Sequence, residues 1–160
     1  MQKNPTHAKP MTQKFLLFLV IACSFQNMAI AQDTTRINVG IMLVPMGYIA
    51  PDKVDDGFKT TTGIFCVTQV VRGNTVFTPF YSFSTNSVGA ALYQQLTPRL
   101  GTYVVGNKSI LRNDGYVGIG IGTPLAAGKA TGFIEYGSSW KDWGPAIYVG
   151  AFIPFVQRVR

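Results

Sequence analysis

From residue 36 onward, apolar side chains alternate with glycine, threonine and other small or polar ones in runs of about 8–12 residues, with turn residues between the runs. The most informative run is Tyr116-Val117-Gly118-Ile119-Gly120-Ile121-Gly122. In an extended strand Val117, Ile119 and Ile121 share one face, while Gly118, Gly120 and Gly122 share the other. A helix would scatter both sets around its axis and hold three interior glycines, at about 1 kcal/mol each. The run is a strand with an apolar medium on one side and a crowded interior on the other. That medium is expected to be lipid, with Val117, Ile119 and Ile121 facing it.

The same pattern predicts eight strands, at about residues 36–44, 61–71, 75–83, 88–96, 99–106, 115–122, 130–137 and 146–156. The first sets Ile37, Val39, Ile41 and Leu43 against Asn38, Gly40 and Met42. The second leaves its faces open, because Ile64, Cys66 and Val70 oppose Phe65, Val67 and Val71. In the third, Pro79 has no N–H to give a ladder, so a bulge or local break is expected there. Arg72-Gly73-Asn74 and Thr97-Pro98 read as tight turns. The first, fifth and seventh connections are longer, the sixth is intermediate, and the third, at residues 85–87, interrupts the alternation of long and short. No segment carries a sustained 3.6-residue apolar period, and no repeat or second domain is visible.

Ahead of the strands, Lys3, Lys9 and Lys14 precede the apolar run Phe15–Ala22, which is too short for a spanning helix of about 20 residues. Ala29-Ile30-Ala31 then supplies small-x-small cleavage geometry. Residues 1–31 are therefore predicted to be a secretory signal peptide, cleaved before Gln32, with Met11 as an alternative start. Val20-Ile21-Ala22-Cys23 offers a rival, lipoprotein-type cleavage that would leave a lipidated Cys23. Simple cleavage is preferred, because the lipobox follows a short apolar run and would leave Ala29-Ile30-Ala31 without a role.

The leader takes three of the 14 basic residues and none of the seven acidic ones, which lowers the formal charge from +7 to about +4. The remaining basic residues are dispersed, so no nucleic-acid partner is expected. Residues 32–160 suit a single domain. Cys66 is the one cysteine outside the leader, which removes any internal disulfide framework.

Eight alternating strands behind a signal peptide resemble the small eight-stranded outer-membrane β-barrel proteins. The resemblance is architectural and covers residues 32–160. It implies an all-β, antiparallel up-and-down barrel located in the outer membrane, with a lumen filled by side chains. Membrane lipid and the barrel-assembly machinery would be its partners, and an extracellular partner could be met through the loops. Tyr148-x-Gly150-x-x-Ile153-x-Phe155 is similar to the assembly signal of such barrels, although the chain continues to Arg160 instead of ending on an aromatic. Tyr48, Phe58, Tyr93, Tyr116, Tyr136, Trp140, Trp143 and Phe155 are candidates for interfacial girdles. Tyr103 and Phe133 are expected to cover the glycine face of the 115–122 strand.

The only histidine, His7, lies in the leader, so no His-dependent triad, proton shuttle or zinc site is expected, and no catalysis. Gly118-x-Gly120-x-Gly122 has neither the spacing nor the following helix of a dinucleotide fingerprint. Asp52, Asp55 and Asp56 are preferred as a solvated acidic loop over a calcium site. No cofactor is expected. Glu135 alternates with Phe133 and Thr131 and is predicted to point into the lumen, paired with Arg99, which has the parity of Gly101 and Tyr103. Residues 107–114 and 138–144, including Trp140 and Trp143, are the expected contact surface. The competing reading is a secreted, soluble, lipocalin-like barrel that binds a small apolar ligand. It would reverse the two faces, and the scarcity of charge in the strands disfavours it.

Overall fold

A computed structural model describes residues 35–50, 57–141 and 144–159. The leader, with His7 and Cys23, lies outside the described residues, as do Asp52, Asp55, Asp56 and Trp143. The strands are β1 (Arg36–Ile49), β2 (Lys59–Arg72), β3 (Thr75–Ser82), β4 (Ser87–Thr97), β5 (Leu100–Ser109), β6 (Gly115–Leu125), β7 (Ala130–Ser139) and β8 (Pro145–Val159). Each pairs antiparallel with its sequence neighbours, and β8 closes on β1. The fold is an eight-stranded up-and-down antiparallel barrel, as the alternation predicts. One 3-10 turn, Ala126–Gly128, joins β6 to β7.

Two of the four strands that carry proline keep their register but lose rungs. The β2–β3 ladder is interrupted opposite Pro79, between Val67↔Phe80 and Val70↔Phe77. The β1–β8 ladder is interrupted at Pro45, between Leu43↔Ile153 and Met46↔Gly150. A missing N–H explains both gaps.

The faces of every strand follow from the pairings. In β2, Phe65 and Val67 pair with lumenal Met42 and Gly40 and point inward, while Ile64, Cys66 and Val70 point outward. Residue-to-partner steps around the barrel run Ile37, Val70, Phe77, Leu92, Val104, Ile119, Tyr136 and Ile147, and return to β1 at Ile49. Every side chain on that outward path is apolar or aromatic. The path returns twelve residues from where it began, which is the shear of the barrel.

That shear sets the width of the interior. With ordinary strand rise and spacing, it tilts the strands by about 45° and gives a backbone radius of about 9 Å. An eight-stranded barrel of shear eight tilts by about 36° and has a radius of about 8 Å. The extra width leaves room that the lumenal side chains do not fill.

Candidate functional site in the barrel lumen

The lumen is closed at one level and open above it. Val44, Tyr103 and Phe133 are buried at its middle, with Phe152 packed against them. Phe133 and Phe152 stack at 4.3 Å and 21°, and Tyr103 stands edge-on to both, at 6.2 Å and 5.4 Å. This aromatic layer is the floor of a half-open cavity of about 680 Å³. The cavity reaches up to Ser84, Thr85 and Asn86 between β3 and β4, and to Leu111, Arg112 and Asp114 between β5 and β6. Its walls are mixed: Met42, Met46, Phe65 and Phe80 on one side, and Tyr48, Tyr116, Tyr148 and Glu135 on the other. The expected side-chain-filled lumen is therefore corrected to a cup with a solid floor.

Glu135 is 7% exposed and faces the lumen, as its parity predicts. Its Oε1 accepts a hydrogen bond from the Tyr116 hydroxyl. Tyr116 starts from a position opposite Ser139 and reaches Glu135 by lying over the Gly118–Gly137 pair. A Cβ at Gly137 would collide with the Tyr116 ring, and one at Gly118 would stand 2.9 Å from its hydroxyl. The Tyr103 hydroxyl lies beside the same carboxylate but is buried without a hydrogen bond of good geometry.

Arg99 does not join this group. The β4–β5 register shifts between Gln95 and Thr97, and β5 begins at Leu100, so Arg99 sits in the exposed turn. Strand parity, which supported the pair with Glu135, does not extend through a turn. The partner of the carboxylate is a phenol, and no cation occupies its surroundings among the described residues.

Val117, Ile119 and Ile121 project from the outer wall, and Gly118, Gly120 and Gly122 are buried on the inner one. Tyr103 covers Gly120, where a Cβ would stand 2.5 Å from its ring. Phe133 lies instead against Gly150 of β8, and Tyr93 and Thr131 flank Gly122. Of the girdle candidates, Tyr48 and Tyr116 line the lumen cavity, Tyr93 packs against its floor, and Phe58, Tyr136, Trp140 and Phe155 are exposed. The parity of Tyr116 with Gly118 and Gly120, and of Tyr148 with Gly150, is the sequence signal that places both tyrosines inside.

At the cavity rim, Asp114 accepts hydrogen bonds from Ser139 Oγ at 2.8 Å and from the Gly115 N–H at 2.7 Å. Both bonds favour its charged form and hold its carboxyl below the usual range. Trp140 donates its backbone N–H to the Gly115 carbonyl at 2.8 Å, and its ring lies against Gly115. Around the β3–β4 turn, Thr85 bonds Ser82 and Ser87, and the Tyr81 hydroxyl donates to Asn86 Oδ1. No His, Cys, Asp or Glu cluster suited to a metal is present among the described residues.

In comparisons with known proteins, no family model, no curated protein and no solved structure matches this chain.

Proposed function

We propose that this protein is an integral outer-membrane β-barrel, exported through its leader, that acts structurally or through its loops and catalyses no reaction. The observation that carries this reading is the outward path from Ile37 round to Ile49, apolar or aromatic at every step. Ile41, Ile64, Val88, Ile121, Ile134, Val149 and Phe155 add further exposed apolar area to the same wall. Among outward-facing strand positions only Arg72 and Lys108 carry charge, and each lies at a strand end. A wall of that size left in water would aggregate. In hydrocarbon it is matched to its solvent, and closure pairs the backbone groups that an open sheet would leave bare.

Connections 73–74, 98–99 and 126–129 share one end of the barrel with Arg36 and Val159, while Ile49, Ser82, Ser109 and Ser139 end their strands at the other. Short turns at the periplasmic end and longer loops outside are the usual arrangement of such barrels. The loop end also displays Leu111, Ile110, Phe83, Phe58 and Trp140, all exposed, which suits a contact surface. Barrel-assembly machinery and membrane lipid are the partners this reading requires.

The cavity favours a second reading, a soluble lipocalin-like carrier, but such a barrel would need a charged outer wall. Fractionation separates the two. The membrane barrel stays in the carbonate-washed pellet, needs detergent for extraction, and migrates differently on gels before and after boiling. Recovery in the soluble periplasm or the medium without detergent removes the membrane reading.

A further inference from the structure

Two buried polar groups in the cup have no assigned role: the Glu135 carboxylate and the Tyr103 hydroxyl. A carboxylate taken out of water is costly unless a cation accompanies it, and a phenol hydroxyl is costly unless it is hydrogen-bonded. Here one carboxylate oxygen takes the Tyr116 bond, and the Tyr103 hydroxyl lies beside the same carboxylate without a hydrogen bond of good geometry. Among the described residues the one basic side chain on the cavity wall is Arg112, exposed on the 110–114 loop at the rim. We propose that the cup binds a protonated amine on a compact apolar body, its ammonium seated on the Glu135 carboxylate.

The chemistry narrows the ligand class. An ammonium brings positive charge and several N–H donors, whereas the carboxylate and a phenol oxygen both accept. A quaternary ammonium would satisfy the charge but has no N–H to give the carboxylate. An anion would meet Glu135 without a compensating cation. A hard metal ion needs several oxygen ligands, and among the described residues Glu135 is the single lumenal carboxylate at this depth. The rings of Tyr116 and Tyr148, 5.5 Å apart, add electron-rich surface beside the charge. Beneath it, Phe133, Phe152 and Val44 offer an apolar seat. A volume of about 680 Å³ falls within the range of small-molecule sites. The site stands on the lumen alone, whatever medium surrounds the wall.

The probe is dansylcadaverine, a primary amine on a fluorescent apolar body, titrated into the folded full barrel in lipid nanodiscs with empty discs as the blank. Its N-acetyl derivative keeps the body and loses the charge. The expected result is saturable binding of the amine at one site, with the acetylated probe at least about tenfold weaker, as for loss of a charge-assisted hydrogen bond. Glu135→Gln should weaken the amine by a similar factor. Equal affinity for both probes, undiminished affinity in folded Glu135→Gln, or no saturable binding of the amine overturns the proposal. Where Glu135→Gln does not fold, the two probes on the unsubstituted protein decide.

Discussion

Tyr116 on β6 donates its hydroxyl hydrogen to Glu135 on β7, across a pair of glycines that leave its ring room to lie flat on the wall. Tyr116→Phe removes that donor and should destabilise the barrel by about 1.5–3 kcal/mol, the range for a bond to a charged group. In a Glu135→Gln background the same substitution removes a neutral bond and should cost about 0.5–1.5 kcal/mol. Urea unfolding of the four proteins in lipid vesicles gives the coupling. Equal costs in both backgrounds would mean that the bond to the carboxylate contributes nothing of its own.

The glycine window carries its own prediction. Gly137→Ala places a methyl group where the Tyr116 ring lies, so the ring must shift and lose Glu135. The expected cost is about 1–3 kcal/mol, as for other overpacked interiors. Gly144→Ala, where nothing among the described residues lies within 4 Å, is the control and should change stability by less than about 0.5 kcal/mol. Both are read in the same unfolding assay.

Ile119 lies midway along β6 and is 38% exposed on the outer wall, whereas Ile49 ends β1 at the loop end. In a bilayer Ile119→Arg should cost about 2–4 kcal/mol and Ile49→Arg about 0–1 kcal/mol. In water neither substitution should matter much, because both side chains already face solvent. Refolding into vesicles with denaturant titration distinguishes these outcomes, and a neutral Ile119→Arg would count against a membrane position.

Thiol labelling maps both sides of the same wall. Cys66 points outward from the middle of β2 and is exposed. In intact vesicles it should resist a membrane-impermeant maleimide, then react after unfolding. Ala91→Cys in a Cys66→Ser background lines the cup and should react with a small polar thiosulfonate entering from the loop end. Rapid labelling of Cys66 in vesicles, with position 91 inert, would reverse the assignment of the two faces to lipid and water.

The rim responds to pH through Asp114. Its carboxyl is held below the usual range by Ser139 and by the Gly115 N–H, so its folded form binds a proton less readily than its unfolded form. The stabilisation is complete above about pH 4, the ordinary carboxylate range, and is lost as pH falls through the lower folded value. Hydrogen exchange at the Trp140 amide, bonded to the adjacent Gly115 carbonyl, should accelerate over that interval relative to the intrinsic rate. Asp114→Asn should show no such acid step.

Strand number, strand order in the chain and the two faces of β6 were legible from residues alone, because side-chain alternation is a local property of an extended backbone. Ile119 outward and Glu135 inward follow from parity within one strand each. Parity misled at Arg99, where a register shift and a turn separate it from Gly101, and position near a strand end misled at Tyr116, whose alternation with Gly118 was the better guide. What only the tertiary structure decided was the sum of eight registers. Each offset joins segments that carry no mark of one another, yet together they move the closing pair from Ile37 to Ile49. That shear widens the barrel and opens the cup above Tyr103 and Phe133, while the pairing of β6 with β7 sets Tyr116 within reach of Glu135.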